Sequence, residues 1–467
     1  MRWIGFPEKG DGMPGWADEA VFYNIFPLGA LGAPEVNDFA SPAADRVAQL
    51  SGWLGAARAI GADAILLGPV FESSRHGYDT ADLFTLDRRL GTNEAFAAWV
   101  AEAHAAGFRV VLDGVFHHVG RDFWAFRDVL AHGEASAYRS WFHLDFGRPS
   151  PLGDPFFYEG WNKHYDLVKL NLAEPELREH VFAAVRMWIE SFGIDGLRLD
   201  AADVLDRSFQ RDLAGFCRGQ KPDFWLKGEV IHGDYTRWIR EAGLDAVTNY
   251  ELHKGLWSSH NDRNYFELGH SLARQFGGGG IYKDLTLYNF LDNHDVERIA
   301  SRLREPAHLV PLHILLFTVP GLPSIYYGSE WGISGRKEKG TDAALRPALY
   351  PERLAERAPH PELPPLIRSL ATLRREHPAL WAGMYRELHL ASEQFAFARE
   401  TGDNRAIIAV NAAGSPAEIV LRGEGLEGAW RDGLAPGRVF GAEGGTLHVP
   451  LEPNSGRVLV RSGPLSP

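Results

Sequence analysis

Cysteine is almost missing from this sequence. Cys217 stands alone in 467 residues, so no internal disulfide can form and the fold does not depend on an oxidising compartment. Excess positive charge is missing too. Lys and Arg number 48 against 61 Asp and Glu, for a net charge of −13, which argues against nucleic acid as a partner. No apolar run reaches membrane length intact. The oiliest stretch, 309–327, is interrupted by Pro311, His313, Pro320 and Pro323, so no membrane partner is expected. The first residues, MRWIGFPEKGDG, lack the basic-then-apolar order of an export signal, and the expected location is the cytoplasm. There is no internal repeat and no low-complexity segment.

What is present is the composition of a soluble globular protein with ample core, too long for one ordinary compact domain. Fourteen tryptophans are enough to offer stacking surfaces to flat ligands such as sugar rings. From Val21 to Gly328, short apolar runs alternate with helical patterns. The strand candidates are Val21–Pro27, Ala64–Pro69, Arg109–Val115, Gly196–Ala201, Phe224–Val230, Asp245–Tyr250, Thr286–Leu291 and Ser324–Gly328. Amphipathic helices are predicted over Asp45–Ile60 and Pro175–Phe192, with apolar residues near helical spacing. Eight such units predict an α/β fold, a (β/α)8 TIM barrel.

Two intervals depart from plain βα units. The stretch after strand three is long, loop-like and aromatic, and reads as an insertion. After about Tyr385 the pattern turns to alternation with turn signals, at Gln394–Arg399, Arg405–Asn411, Glu418–Leu421, Thr446–Val449 and Arg457–Val460, which predicts a C-terminal antiparallel β-domain. A last amphipathic helix, Leu366–His377, precedes it. The expected division is barrel over 1–117, an inserted domain B over 118–167, barrel again over 168–384 and the β-domain over 385–467.

A barrel builds its active site at the C-terminal ends of its strands. Strand three ends in Asp113-Gly-Val-Phe-His117-His118, strand four in Arg198-Leu-Asp200, strand five in Lys227-Gly-Glu229 and strand seven in Asp292-Asn-His294-Asp295. Any one of these charges has a dull reading as a cap or salt-bridge partner. Carboxylates on three strand tops beside an arginine and histidines point instead to glycoside hydrolysis, in which one acid protonates the leaving oxygen and another attacks the anomeric carbon. Arg198, two residues before Asp200, shares its strand face and is expected to keep it ionised. Burial of Glu229 would favour its acid form, which Lys227 on the same face would oppose. A metal site at Asp113, His117 and His118 is disfavoured, because adjacent residues of an extended strand face opposite ways.

The order of motifs extends this reading. Gly61–Pro69 with Val70–Ser73, His76-Gly-Tyr78-Asp79-Thr80, Asp113–His118, Lys169-Leu-Asn171, Gly196–Asp200, Glu229, Phe290–Asp295 and Gly321–Gly328 follow one another along the chain. In that order they resemble the α-amylase superfamily of retaining glycoside hydrolases, family 13, over nearly the whole chain. The resemblance implies that Asp200 is the nucleophile, Glu229 the acid/base and Asp295 the transition-state stabiliser. It implies that His118 and His294 hydrogen-bond the sugar at the cleavage point, that Tyr78 stacks on it, and that Arg198 lies beside the nucleophile. Asp342 and Arg346 match a further pair that binds the same sugar.

Lys169-Leu-Asn171 is similar to the neopullulanase, cyclomaltodextrinase and maltogenic-amylase branch. That implies hydrolysis of α-1,4, and potentially α-1,6, links in short or cyclic maltodextrins. With the first barrel strand expected near Val21 and no extra N-terminal domain expected before it, the resemblance extends to short members that open cyclic maltosyl-maltose. The alternatives are an α-glucosidase or α-glucan transglycosylase on linear chains, or a non-catalytic glucan-binding protein. No cofactor is expected. His117 replaces an asparagine that often ligates calcium in the family, and imidazole suits that hard cation poorly. Ala202-Asp203-Val204 and Val230-Ile231-His232 also depart from the family's usual residues, where leaving-group sugars bind. Oligomeric state does not follow from the resemblance.

Overall fold

The computed structural model describes residues 15–462. The export-signal reading of the first twelve residues, and the two extreme ends of the domain division, lie outside the described residues. Eight parallel strands close a barrel: β1 Phe22–Ile25, β2 Ala64–Leu67, β3 Arg109–Gly114, β4 Gly196–Leu199, β5 Trp225–Gly228, β6 Ala246–Thr248, β7 Leu287–Phe290 and β8 Leu322–Tyr326. Neighbours in sequence pair around the ring, and β8 closes on β1 through Phe22↔Ser324. This is the TIM-barrel fold predicted from the alternating pattern, with every strand candidate containing its observed strand except that β8 starts two residues early.

The strands are near-continuously apolar because both faces are covered. Inward side chains, among them Phe22, Leu66, Val111, Trp225, Tyr288 and Phe290, fill the lumen as one cluster. Phe22 stacks on Trp225 with centroids 4.8 Å apart. Outward side chains pack under the helices. The helix expected over Asp45–Ile60 forms as Leu50–Ala59 behind a 3-10 turn. The one expected over Pro175–Phe192 is α-helical over Pro175–Met187 and widens to a π turn at Trp188–Phe192, where Trp188 stacks on Phe71 at 4.1 Å.

After β3 the chain leaves the barrel. A three-stranded sheet of His118–Gly120, Gly160–Trp161 and His164–Lys169 forms there, beside a hairpin of Leu144–Asp145 and Phe157–Tyr158. Phe126, Phe142, Phe156 and Tyr158 are buried together in this unit. Pairing of His118 with Lys169 lays the sheet over the top of the barrel.

The oily stretch at 309–327 splits into a buried helix, Leu309–Thr318, and β8. Pro311 sits in the first turn, where it removes no helical hydrogen bond. His313 meets the Leu309 carbonyl through Nδ1 at 2.7 Å. A helix apolar on all sides needs cover on all sides, and the C-terminal sheet supplies it. Among the described residues no helix is long and apolar enough to cross a membrane. The last helix begins earlier than expected, at Leu363–Glu376, because Pro364 and Pro365 serve as its first turn.

The C-terminal strands are β9 Met384–Leu390, β10 Gln394–Thr401, β11 Asn404–Asn411, β12 Ala417–Arg422, β13 Gly428–Asp432, β14 Val439–Ala442, β15 Thr446–Leu451 and β16 Ser455–Ser462. They form an antiparallel sheet in the order β9-β10-β11-β16-β13-β14, with β12 and β15 paired separately. Alternation divides its faces. Phe395, Phe397, Ile408 and Val458 pack toward the barrel, while Ala396, Ile407 and Leu459 pack with Ile419 and Val449.

Candidate active site

The C-terminal strand ends gather the acidic residues around one guanidinium. Arg198, fully buried near the end of β4, donates from Nη1 to Asp113 and to Asp200 Oδ1 at 3.3 Å, and from Nη2 to Glu229 Oε2 at 2.7 Å. Asp200 and Glu229 follow the last residues of β4 and β5, and the Glu229 amide extends the ladder to the Leu199 carbonyl. The turn after β4 is tight enough to place Ala201 in the left-handed region, φ 47°. The Ala201 amide then donates to Glu229 Oε2 at 3.4 Å.

The electrostatics depart from the expectation for Asp200. Burial raises it well above the ordinary carboxylate range against the pull of Arg198, and Glu229, Asp113 and Asp295 add to the rise. Asp295 goes the other way. Burial works against its charge, but contact with His294 and the charge of Arg346 hold it far below that range. His294 Nε2 lies 2.9 Å from Asp295 Oδ2, and Arg346 Nη2 donates to Oδ1 at 3.1 Å. The three carboxylates are therefore unequal: one is held ionised and another favours its proton.

Tyr78, Arg346, Asp342 and His294, singled out in the sequence, are joined by contacts of their own. Tyr78 stacks on His294 with centroids 5.4 Å apart, and its hydroxyl donates to Asp113 Oδ2 at 3.0 Å. Arg346 donates to the His294 carbonyl and to Asp342 Oδ2 at 3.3 Å. His118 is buried, with Nε2 lacking a protein partner, and burial pushes its imidazole down to about 3. A neutral ring with a free nitrogen is what a sugar hydroxyl needs.

The sequence and the fold both have known relatives. Residues 54–350 match the model of the α-amylase catalytic domain. The chain belongs to the α-amylase family. It is 32% identical to a cyclomaltodextrinase of Geobacillus thermopakistaniensis, over 94% of this chain and 76% of that one. The cyclic α-maltosyl-(1→6)-maltose hydrolase of Arthrobacter globiformis, solved with cyclic maltosyl-maltose, is 28% identical at a TM-score of 0.79, covering 96% of this chain and 100% of that one. The debranching enzyme of Nostoc punctiforme is also 28% identical, at a TM-score of 0.82 over 96% of this chain and 99% of that one.

Two cavities open at the candidate site residues. One of about 1000 Å³ is lined by Phe26, His76, Asp79, Asp342 and Arg346. The other, of about 540 Å³, is lined by Trp161, Lys169, Ala201, Val204, Glu229 and Ile231. Sequence reasoning missed two residues that contact the candidate site. Tyr250 donates from its hydroxyl to Glu229 Oε1 at 3.1 Å, and its position just after β6 was the available signal. Phe26, just after β1, stacks on His294 at 5.6 Å and lies under the Arg346 guanidinium at 4.6 Å.

His117 and His118 do not face opposite ways, as an extended strand would require. β3 ends at Gly114, so His117 and His118 are not consecutive residues of one barrel strand. Their Nδ1 atoms meet at 3.3 Å.

Proposed function

We propose that this member of the α-amylase family is a retaining glycoside hydrolase acting on short or cyclic maltodextrins. The observation that carries the reading is the single guanidinium of Arg198 bridging Asp200 and Glu229, the close carboxyl pair that a double displacement uses. Asp200 attacks the anomeric carbon as the bond to the departing oxygen breaks, and Glu229 gives that oxygen its proton. The resulting glycosyl ester is cleaved by water, whose proton goes to Glu229, and Asp200 is released as carboxylate. Asp295, kept ionised by His294 and Arg346, faces the positive charge that develops on the sugar ring.

Tyr78 provides the stacking face for that sugar. His118 and His294 bind its hydroxyls, and Asp342 and Arg346 hold its far side. The relatives named above act on cyclic and branched α-glucans, which supports the substrate class. Imidazole at His117, where the family often has an asparagine, is a poor ligand for calcium, which supports the reading that the ion is not held there. Among the described residues no cluster of three or more His, Cys, Asp or Glu side chains is arranged to hold a metal ion. The lone, buried Cys217 supports a cytoplasmic location.

The test is chromatography of products from maltotetraose, β- and γ-cyclodextrin, panose, cyclic maltosyl-maltose and soluble starch. Rapid ring opening with little attack on starch is expected. Rings that survive while linear chains are cut would move the protein to an α-glucosidase reading. A second reading, glycosyl transfer, is favoured by Val204 and Ile231, which are 54% and 42% exposed in the cavity at Glu229. Products longer than the substrate, at high substrate, would reveal it.

A further inference from the structure

His294 and Asp295 lie in the segment that follows β7. Arg346 holds the middle of that segment, through the His294 carbonyl and Asp295 Oδ1. Its two ends are held by a separate buried network. Asp292, 2% exposed, opens the segment, and Arg298, fully buried, closes it. Asp292 Oδ2 accepts from the Ile299 amide at 2.8 Å, so the chain returns on itself. Between these ends, Asn293 Oδ1 accepts from the amides of Asp295 and Val296 at 2.8 and 3.1 Å. The stretch 292–298 is thus a closed loop with Asp295 at its midpoint.

One hydroxyl fastens this loop to the barrel. Ser329 Oγ, just after β8, lies 2.9 and 2.8 Å from the two oxygens of Asp292 and accepts from Arg298 Nη1 at 3.2 Å. Arg298 Nη1 also donates to the Tyr327 carbonyl. The guanidinium rests on the rings of Tyr326 and Tyr327, 4.2 and 4.9 Å from their centroids. Its Nε and Nη2 lack a partner in the protein, so it is bonded only through the nitrogen that meets Ser329 and Tyr327. Burial raises Asp292, while Arg298, the Ile299 amide and the Ser329 hydroxyl pull it back. A buried carboxylate and guanidinium are costly, and an apolar contact between loop and barrel would stabilise the fold at lower cost. An apolar contact would not, however, fix the loop in one orientation as directed bonds do.

Resting on the role given above for Asp295, we propose that Ser329 and Asp292 are positioning residues for the reaction. The Ser329 hydroxyl joins the carboxylate that opens the loop to the guanidinium that closes it, and so fixes His294 and Asp295 against the reacting sugar ring. Rate is sensitive to such placement, since a shift of about 1 Å can cost about a hundredfold.

The test is steady-state kinetics of Ser329→Ala and Asp292→Asn on the substrate of the panel above that the wild type cleaves fastest, with folding checked by circular dichroism and thermal melting. Inhibition by 1-deoxynojirimycin, a glucose analogue with a cationic ring nitrogen, is measured on the same proteins. In each variant kcat per folded molecule is expected to fall about tenfold with KM changed less. Affinity for the iminosugar, whose charge answers to Asp295, is expected to fall by a similar factor. A role confined to holding the fold would lower the melting temperature alone. Wild-type kcat in either folded variant, or a lower kcat with unchanged iminosugar affinity, would overturn the proposal. Absence of α-glucan hydrolysis by the wild type would instead overturn the proposed function.

Discussion

The Tyr250 hydroxyl donates to Oε1 of Glu229 at 3.1 Å, while Arg198 engages the other oxygen, Oε2, at 2.7 Å. The Glu229 carboxyl group is thereby held from both sides, and its plane is fixed by groups on two other strand ends. Asn293 Nδ2 reaches the same hydroxyl at 3.4 Å. Tyr250→Phe keeps the ring against Phe290 and removes only the hydrogen bond. A hydrogen bond of this kind contributes about 1 kcal/mol, so kcat should fall by roughly fivefold. KM should change little, and steady-state kinetics on one maltodextrin checks both.

Arg346 joins Asp295, His294 and Asp342 through one planar group laid on Phe26. Lysine cannot reproduce that fork. Arg346→Lys should lower kcat/KM by about tenfold or more and should leave Asp295 easier to protonate. An unchanged kcat/KM would contradict this account of Arg346.

Ala201 holds φ at 47° directly after the nucleophile position. A β-branched residue is strongly disfavoured in that backbone region. Ala201→Val should destabilise the fold by about 1–3 kcal/mol, read as a lower melting temperature. Ala201→Gly should not destabilise it comparably.

Glu330, buried after β8 with the Tyr23 hydroxyl on Oε1, is raised to about 8, chiefly by burial. A carboxyl raised on folding contributes stability that is full below its unfolded pKa and is lost as pH rises to the folded value. The melting temperature should accordingly carry a downward slope from about pH 4.5 to pH 8. Glu330→Gln cannot ionise and should flatten that slope; an identical slope in the variant would assign it to other groups.

The fold was legible because each barrel strand is a short apolar run buried on both faces, and the site because β3, β4, β5 and β7 run into charged residues or histidines. The whole set of candidate site residues lies at such ends or in motif-bearing loops. What escaped has physical reasons. β13 and β14 buried too few side chains to mark them, Trp430 and Asp432 alone in Gly428–Asp432 and none in Val439–Ala442. The contact between His117 and His118 depends on where β3 stops. The rise at Asp200 depends on burial and on three neighbouring carboxylates, whereas the sequence displays only its spacing from Arg198. Tyr250 stood at a strand end, but its bond to Glu229 joins two strand tops and no linear motif.

The central claim is that Asp200 is the nucleophile and that Glu229 serves both steps. The most direct test is the intact mass of Glu229→Gln after incubation with α-maltosyl fluoride. This donor needs no proton on its leaving group, but the glycosyl ester it forms needs a base for release. The account predicts a stable adduct of one glycosyl unit, mapped by peptide analysis to Asp200 and absent from Asp200→Asn,Glu229→Gln. An adduct on another residue, or products that invert the anomeric configuration with no adduct, would contradict it.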